Sequence, residues 1–422
     1  MPPRLIPRSV CRKCMLQSRR FSSSLRLNQQ QPTLPLSPPS TGYARLTSRA
    51  LISLAGRDAT TFLQGLITQN IVVPSGQSSP NAAYYAAFLN PQGRVLHDVF
   101  IYPSPETGDS DPAYLVEVDK AEVEKLLKHL KKYKLRAKLT MRPLDEGERS
   151  VWASWDEKNE SIWTTNDTEK ELPLSCEDKR APRLGYRIVA DPEFADRERY
   201  LPGAEVPVST YNLRRMLHGV PEGQTEIISG SALPMESNMD IMGGIDFHKG
   251  CYVGQELTIR THHRGVIRKR ILPVQFYEFD SPPPESDAPV YLENTELPLP
   301  PAGASITRVS GGKSPSPGKF LSGIGNVGLA LCRLETVTDI AFTGEATRYN
   351  PDEEFAISWD AESEGTSSTK RVKVKAFIPP WTRGYILRGG ARHRTPVGEA
   401  QRAKEIVEEL EGEISRYEEP QR

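Results

Sequence analysis

The sequence predicts an α+β fold followed by an all-β C-terminal part, and two observations predict it. Ala113–Val118 alternates as a strand, Lys120–Lys132 carries a helical stripe and Leu135–Met141 reads as a returning strand, which together make a β-α-β unit. From Val266 onward helical periodicity gives way to strand-like pieces at Val266–Phe276, Gly325–Leu334 and Lys370–Ile378. A chain of 422 residues has room for two or three domains with buried cores.

Residues 1–57 hold ten basic side chains (Arg4, Arg8, Arg12, Lys13, Arg19, Arg20, Arg26, Arg45, Arg49, Arg57) and no acid precedes Asp58. An Arg- and Ser-rich, acid-free start matches a mitochondrial presequence, whose positive charge responds to the inner-membrane potential. Arg19-Arg20-Phe21-Ser22 reads as a matrix-processing site with cleavage after Phe21. Residues 1–40 are therefore assigned to presequence and linker, and the destination to the mitochondrial matrix.

The α+β region is set at 41–264. Ala50–Leu54 reads as a strand leading to a helix from Asp58, with Phe62 and Leu66 at helical spacing. Asp119 with Glu122 makes a capping-box-like start for the next helix, whose buried stripe is Val123, Leu126, Leu127 and Leu130. A further helix from about Ser209 stops at Gly219 before Pro221. Residues 103–112 and 145–182 read as insertions. Single helices between strands suggest split β-α-β halves.

Residues 265–395 form the expected β-domain. Within it, the Pro- and Ser-crowded 280–318 and the acidic 338–369, where Arg348 is the one basic residue, read as surface loops or disordered insertions. Residues 396–422 are a charged tail in which Ile406, Leu410, Ile414 and Tyr417 give a narrow helical stripe.

Composition excludes several function classes. The 54 basic and 54 acidic residues balance, which argues against wholesale nucleic-acid binding. No run of about eighteen apolar residues occurs, so no membrane span is read. Five cysteines (Cys11, Cys14, Cys176, Cys251, Cys332) make no disulfide framework, and a reducing compartment fits them. Cys11-Arg-Lys-Cys14 has zinc spacing without a partner pair. Gly323-Ile-Gly325-Asn-Val-Gly328 satisfies a dinucleotide pattern, yet Leu329–Leu334 alternates like a strand where a Rossmann helix belongs. Cys332 is expected to pack inside the β-domain.

The chemistry concentrates in Lys249-Gly250-Cys251-Tyr252-Val253-Gly254-Gln255-Glu256. It places a thiol between a lysine and a Gly-punctuated turn that opens a helix, with Arg260-Thr261-His262-His263-Arg264 at the far end and Gly265 suited to its C-cap. Positive charge and free helix amides both favour thiolate, so Cys251 is expected to ionise below the free value of about 8.5. Against this stands the plain alternative that Cys251 packs, since free cysteines are often buried. His248, His262 and His263 are assigned cationic and hydrogen-bonding roles rather than a zinc site with Cys251, because adjacent histidines diverge and no second thiolate is near.

The run from Asp246 through Glu256, ending in Arg264-Gly265-Val266-Ile267-Arg268-Lys269-Arg270, resembles the signature of the YgfZ-type, folate-binding, aminomethyltransferase-like proteins. The Thr-His-His and Ile-Arg-Lys-Arg segments are most similar to their mitochondrial iron–sulfur cluster assembly branch. Weaker matches follow in order at Ala55–Asp58, Phe62–Gly65, Asn90–Leu96, Arg183–Arg187, Gly219–Gly223 and Gly325–Ala330. The resemblance implies a cloverleaf of two interleaved α+β parts plus a C-terminal β-barrel around a central cavity.

It further implies a factor for [4Fe–4S] protein maturation, serving client [4Fe–4S] enzymes. Four thiolates normally secure such a cluster, so one cysteine needs a partner. By resemblance the partner is an A-type iron–sulfur carrier, and Cys251 completes ligation of a transient, shared cluster. His248 and Lys249 would favour the thiolate, while Tyr252, Gln255 and Glu256 would shape the surface. Arg260, with Arg264, Arg268, Lys269 and Arg270, would suit the glutamate tail of tetrahydrofolate or an acidic partner surface. The aspartate pair of catalytic aminomethyltransferases falls on His97-Asp98, and their pterin-gripping glutamate on Leu217, so methylene transfer is expected to be lost even where a folate binds. The alternatives are a folate-dependent one-carbon transferase acting on RNA or protein, with Cys251 incidental, and a scaffold without any catalytic residue.

Overall fold

The computed structural model describes residues 34–72, 83–104, 111–145, 147–158, 173–191, 194, 198, 201–311, 316–340, 349–363 and 366–392. The N-terminal basic segment with Cys11 and Cys14, and the tail helix expected over Gln401–Tyr417, lie outside them.

Two five-stranded sheets and a closed barrel organise these residues. The chain starts in one sheet with β1 (Thr41–Arg45) and crosses to the other for β2 (Arg49–Ala55), helix α1 (Ala59–Gln64), β3 (Tyr84–Leu89), β4 (Val95–Ser104), β5 (Ala113–Asp119), helix α2 (Val123–Tyr133) and β6 (Thr140–Pro143). It then returns to the first sheet for β7 (Ser150–Asp156), β8 (Leu174–Glu177), β9 (Tyr186–Ala190) and β10 (Ala204–Glu205). The strand orders are β3-β4-β5-β2-β6 and β10-β1-β7-β9-β8. Because β2 pairs antiparallel with both β5 and β6, those two run parallel around it, joined by α2. That is the split β-α-β arrangement expected.

Period-two alternation builds the layers. Ile52, Leu54, Val99, Ile101, Val116 and Val118 point to one face of the β2–β6 sheet and pack under α1 and α2 with Leu63, Leu126 and Leu130. Leu51, Phe100, Tyr102 and Leu115 point to the other face and meet Ala44, Val151, Ala153, Trp155 and Val189 from the second sheet. Helix α3 (Val208–Leu217) follows, and Gly219 ends it with a positive φ of 74°. Helix α4 (Gln255–Arg264) then leads into the barrel.

The barrel comprises β11 (Lys269–Tyr277), β12 (Ser305–Arg308), β13 (Gly318–Ile324), β14 (Val327–Arg333), β15 (Phe355–Ser363) and β16 (Thr366–Ala376), closed in the order β11-β14-β13-β12-β15-β16. Cys332 is fully buried in its core with Phe276, Phe320 and Ile357. The Gly-x-Gly-x-x-Gly run is the tight β13–β14 hairpin, with Ile324 opposite Val327 and Gly325 at φ 58°. A short helix α5 (Leu334–Val337) and helix α6 (Pro380–Arg392) complete the described elements.

Several expectations are corrected. The returning strand begins at Thr140 rather than Leu135, which stands 91 % exposed. The supposed insertion 145–182 contains β7 and β8; both faces of β7 are buried, so no polar alternation announces it. The acidic 338–369 contains β15, whose Phe355, Ile357 and Trp359 face the barrel core while Ser358 and Asp360 face solvent. The Pro/Ser-rich segment is held down. Proline lacks an N–H but keeps its carbonyl, and barrel lysines donate to backbone carbonyls of the segment: Lys375 Nζ to Pro284 O and Ser286 O (3.3 Å), and Lys373 Nζ to Ser281 O (3.4 Å). Asn326 clamps the loop at both ends of its amide, receiving Leu292 N and donating to Val290 O. The capping box is also altered: Asp119 accepts from Ala121 N, but Glu122 pairs with Lys125 at 2.6 Å, and a 3-10 turn over Lys120–Glu122 precedes α2.

Candidate functional site

Cys251 sits in the loop 246–254 just before α4, and it is the one exposed cysteine among the described residues; Cys176 and Cys332 are buried. The loop is braced residue by residue. Asp246 N–H donates to Thr68 O, and its carboxylate accepts the His248 N–H at 2.7 Å. Lys249 turns inward, donating to the carbonyls of Gln64 (2.8 Å), Ile67 (2.7 Å) and Gln69 (2.9 Å), which closes the C-terminal end of α1. Val253 N–H donates to Gly65 O. Tyr252 is buried, with the Lys249 ammonium 5.0 Å from its ring centre. Burial pushes the Tyr252 hydroxyl up to about 12 and the Lys249 ammonium down to about 8, opposed in the lysine by Asp246.

Glycines set the approach. Gly254 is left-handed at φ 81°, and a Cβ there would lie 2.3 Å from Asn90 O; Gly93, at φ 77°, leaves no room for one beside Leu257. The Asn90-Pro-Gln-Gly93 turn therefore packs its backbone directly on the start of α4. No side chain caps α4; Glu256 is the acid in its first turn, and Gln255 Oε1 receives Tyr252 N–H at 3.2 Å. Gly265 closes the helix in an extended rather than left-handed conformation.

The structure thus places His248, Lys249, Tyr252, Gln255, Glu256 and Arg260 within one loop-and-helix unit but separates their roles. Lys249 directs its ammonium hydrogens to three carbonyls and braces the loop. His248 is 97 % exposed. His262 stacks on Phe247 at 3.7 Å rather than turning to Cys251. Among the described residues no three His, Cys, Asp or Glu side chains gather to hold a metal ion. Arg270 leaves the surface run altogether: it is 2 % exposed and bidentate on Asp240 at 2.9 and 2.8 Å. Arg260, Arg264 and Arg268 are exposed.

A second polar cluster lies between the two sheets, and sequence reasoning gave it no role. Glu117 accepts from Arg49 (2.8 Å) and Tyr102 (2.6 Å) and lies 3.2 Å from Arg187; Glu222 pairs with Arg187 and with Arg180 (2.9 Å), which also meets Asp178 at 2.7 Å. Burial by itself would push Glu222 up, yet Arg187, Arg180, Arg49 and Arg215 hold it well below the usual carboxylate range. The signal available in sequence was a charge on an apolar strand, Glu117 two residues after Leu115 and Arg187 two before Val189.

This centre does not fit a resident pterin as it stands. The Arg180 and Arg187 guanidinium groups cover Phe100 at 5.0 and 4.9 Å, and both arginines are essentially without exposure. Asp98 is sealed, accepting from Gly223 N at 3.2 Å, and its neighbour His97 is 3 % exposed. Leu217 packs with Leu213, Tyr291 and Val327.

Comparison with known proteins bears on this geometry. A family model described as the CAF17 C-terminal beta-barrel domain matches residues 268–384. The chain is similar to a Coccidioides immitis protein named iron-sulfur cluster assembly factor IBA57 homolog, mitochondrial, at 56 % identity over 98 % of this chain and 100 % of that one. Proteins of the same name from Aspergillus oryzae (52 %, covering 98 % and 99 %) and Neurospora crassa (47 %, covering 81 % of each) are also similar. The crystal structure of glycine cleavage system aminomethyltransferase T from Bartonella henselae superposes with a TM-score of 0.53 at 14 % identity, over 81 % of this chain and 86 % of that one, which establishes the shared fold. With more than half its residues identical to such a relative along its whole length, the chain belongs to the IBA57 family of mitochondrial iron–sulfur cluster assembly factors.

Proposed function

We propose that this factor matures [4Fe–4S] proteins in the mitochondrial matrix, with Cys251 lending one thiolate to a transient cluster whose remaining ligands come from an A-type carrier. The observation that carries the reading is the exposure of Cys251 on a braced loop with, among the described residues, no gathered set of further ligands beside it. A lone exposed thiolate cannot hold a cluster by itself, but it can complete one presented from outside. Rigid bracing by Lys249, Val253 and Gly254 fixes where the sulfur stands and limits the ordering cost when a partner docks. His248, Glu256 and Arg260, exposed on the same unit, form the surface a partner meets.

The aminomethyltransferase-like fold favours one second reading, a folate-dependent one-carbon transferase. The sealed Asp98 and the occupied centre speak against turnover. A complementation experiment separates the two. Mitochondria depleted of the native chain and supplied with Cys251→Ser should lose [4Fe–4S] enzyme activities while a [2Fe–2S] protein keeps its cluster. Full rescue by Cys251→Ser, together with tetrahydrofolate turnover by the pure protein, would transfer the function to the folate reading.

A further inference from the structure

Beside α4 lies a groove of about 320 Å³, walled on one side by that helix and on the other by the segments 233–236 and 266–269. Its apolar lining includes Leu233, Pro234, Met235, Leu257 and Ile267. At its lip Val266 stands 54 % exposed. The lining also carries Arg268, Lys269 and Arg333 and a single carboxylate, Glu236, so its charged side chains are mostly positive. Hydrogen bonds tie its 233–236 wall to β11: Ile271 N donates to Glu236 O, and Arg270 Nη1 to Met235 O at 2.8 Å.

Position gives this groove its meaning. Helix α4 is ten residues long, about 15 Å at the usual rise. Cys251 precedes its first turn and the groove begins at Leu257, so a protein touching Cys251 reaches the groove without a long span. The volume is at the small end for binding pockets, enough for a few side chains of an extended segment and too little for a packed helix. Lys269 and Arg333 outnumber the one acid of the lining and select for a negatively charged occupant, and electrostatic complementarity acts on encounter and register more than on raw affinity.

We propose that this groove docks an acidic, apolar-anchored extended segment of the protein that brings the cluster to Cys251. The assignment rests on the shared-cluster reading for its biological partner, but the groove's own chemistry is testable without iron. The segment inserts an apolar side chain against Leu257 and Ile267 and lays its carboxylates along Lys269 and Arg333, while Cys251 takes the metal end of the same partner.

The probe is a fluorescein-labelled octapeptide alternating leucine and glutamate, added to the mature, metal-free chain, with a leucine–lysine octapeptide as its opposite. Binding should be seen for the glutamate peptide alone and should weaken with salt. Lys269→Glu/Arg333→Glu should weaken it by at least about tenfold. The charge-matched Lys128→Glu/Lys131→Glu on the exposed face of α2 and Cys251→Ser should both leave it unchanged. Val266→Asp, at an exposed position that does not endanger folding, should also weaken it. Equal losses for the groove and α2 doubles, or no loss in either, would overturn the proposal. So would binding that appears only after removal of residues 396–422, which would assign the groove to the chain's own glutamate-rich tail. Failure of Cys251→Ser to disturb iron in the complex would sink the cluster reading alone and leave these peptide results standing.

Discussion

Cys251 differs from the other two described cysteines in what surrounds its sulfur. Burial pushes the Cys176 and Cys332 thiols up to about 12, with Asp178 adding to the effect at Cys176, whereas Cys251 is open to solvent. Iodoacetamide at neutral pH should therefore modify Cys251 alone in the folded mature chain and all three in guanidinium; mass spectrometry counts the adducts, and prompt labelling of Cys332 would contradict the barrel packing. A different pair of residues makes stability depend on pH below neutrality. Burial pulls His97 down from 6.5 to about 4 against the opposing Glu122 and Asp98, and burial with Arg214 does the same to His218. Between the two values the unfolded chain holds more protons than the folded one. The stability these histidines contribute is full above pH 6.5, falls through the window from 6.5 to 4 and levels off below it. His97→Gln/His218→Gln should flatten that limb in denaturant titrations; an unchanged slope would show that neither stays neutral in the fold.

At the scale of elements, α4 owes its position to two glycine contacts rather than to a cap. Gly254→Ala must place a methyl group 2.3 Å from Asn90 O in left-handed backbone, so it should cost about 2 kcal/mol or more and loosen the loop carrying Cys251. Equilibrium unfolding gives the first quantity and proteolysis at 246–254 the second; an alanine variant of native stability would contradict the close approach. These elements also show what sequence carries. Helix α2, with its Leu126–Leu127–Leu130 stripe, and the Gly219 stop of α3 were legible because local periodicity and turn chemistry decide them. Strands β7 and β15 were not: one is buried on both faces and the other hides its period-two core residues among acids, so tertiary context alone reveals them. For the same reason the loop around Cys251 could be found from its motif, while the inward turn of Lys249 onto α1, some 180 residues earlier in the chain, could not.

The whole molecule joins these parts through a strap, the segment that precedes β1. Residues following Thr33 are built into the fold: Tyr291 hydroxyl donates to Pro35 O, Ser37 N–H to Glu293 and Trp155 Nε1 to Pro39 O at 2.9 Å. Import into isolated mitochondria should shorten the chain to a start at or before residue 34, with cleavage after Phe21 the expected site; N-terminal sequencing of the matrix product checks it, and a start beyond Ser40 would contradict the strap. Among the described residues, the barrel, the paired sheets and the braced loop then present one thiol outward from a scaffold whose centre is occupied by its own arginines and carboxylates. The most direct measurement is anaerobic mixing of the mature chain with a cluster-loaded A-type carrier, followed by gel filtration with absorption and iron analysis. The native chain should give a stable, coloured, iron-containing heterocomplex and Cys251→Ser none; the same complex formed with equal stability by the serine variant would show that Cys251 is not a ligand.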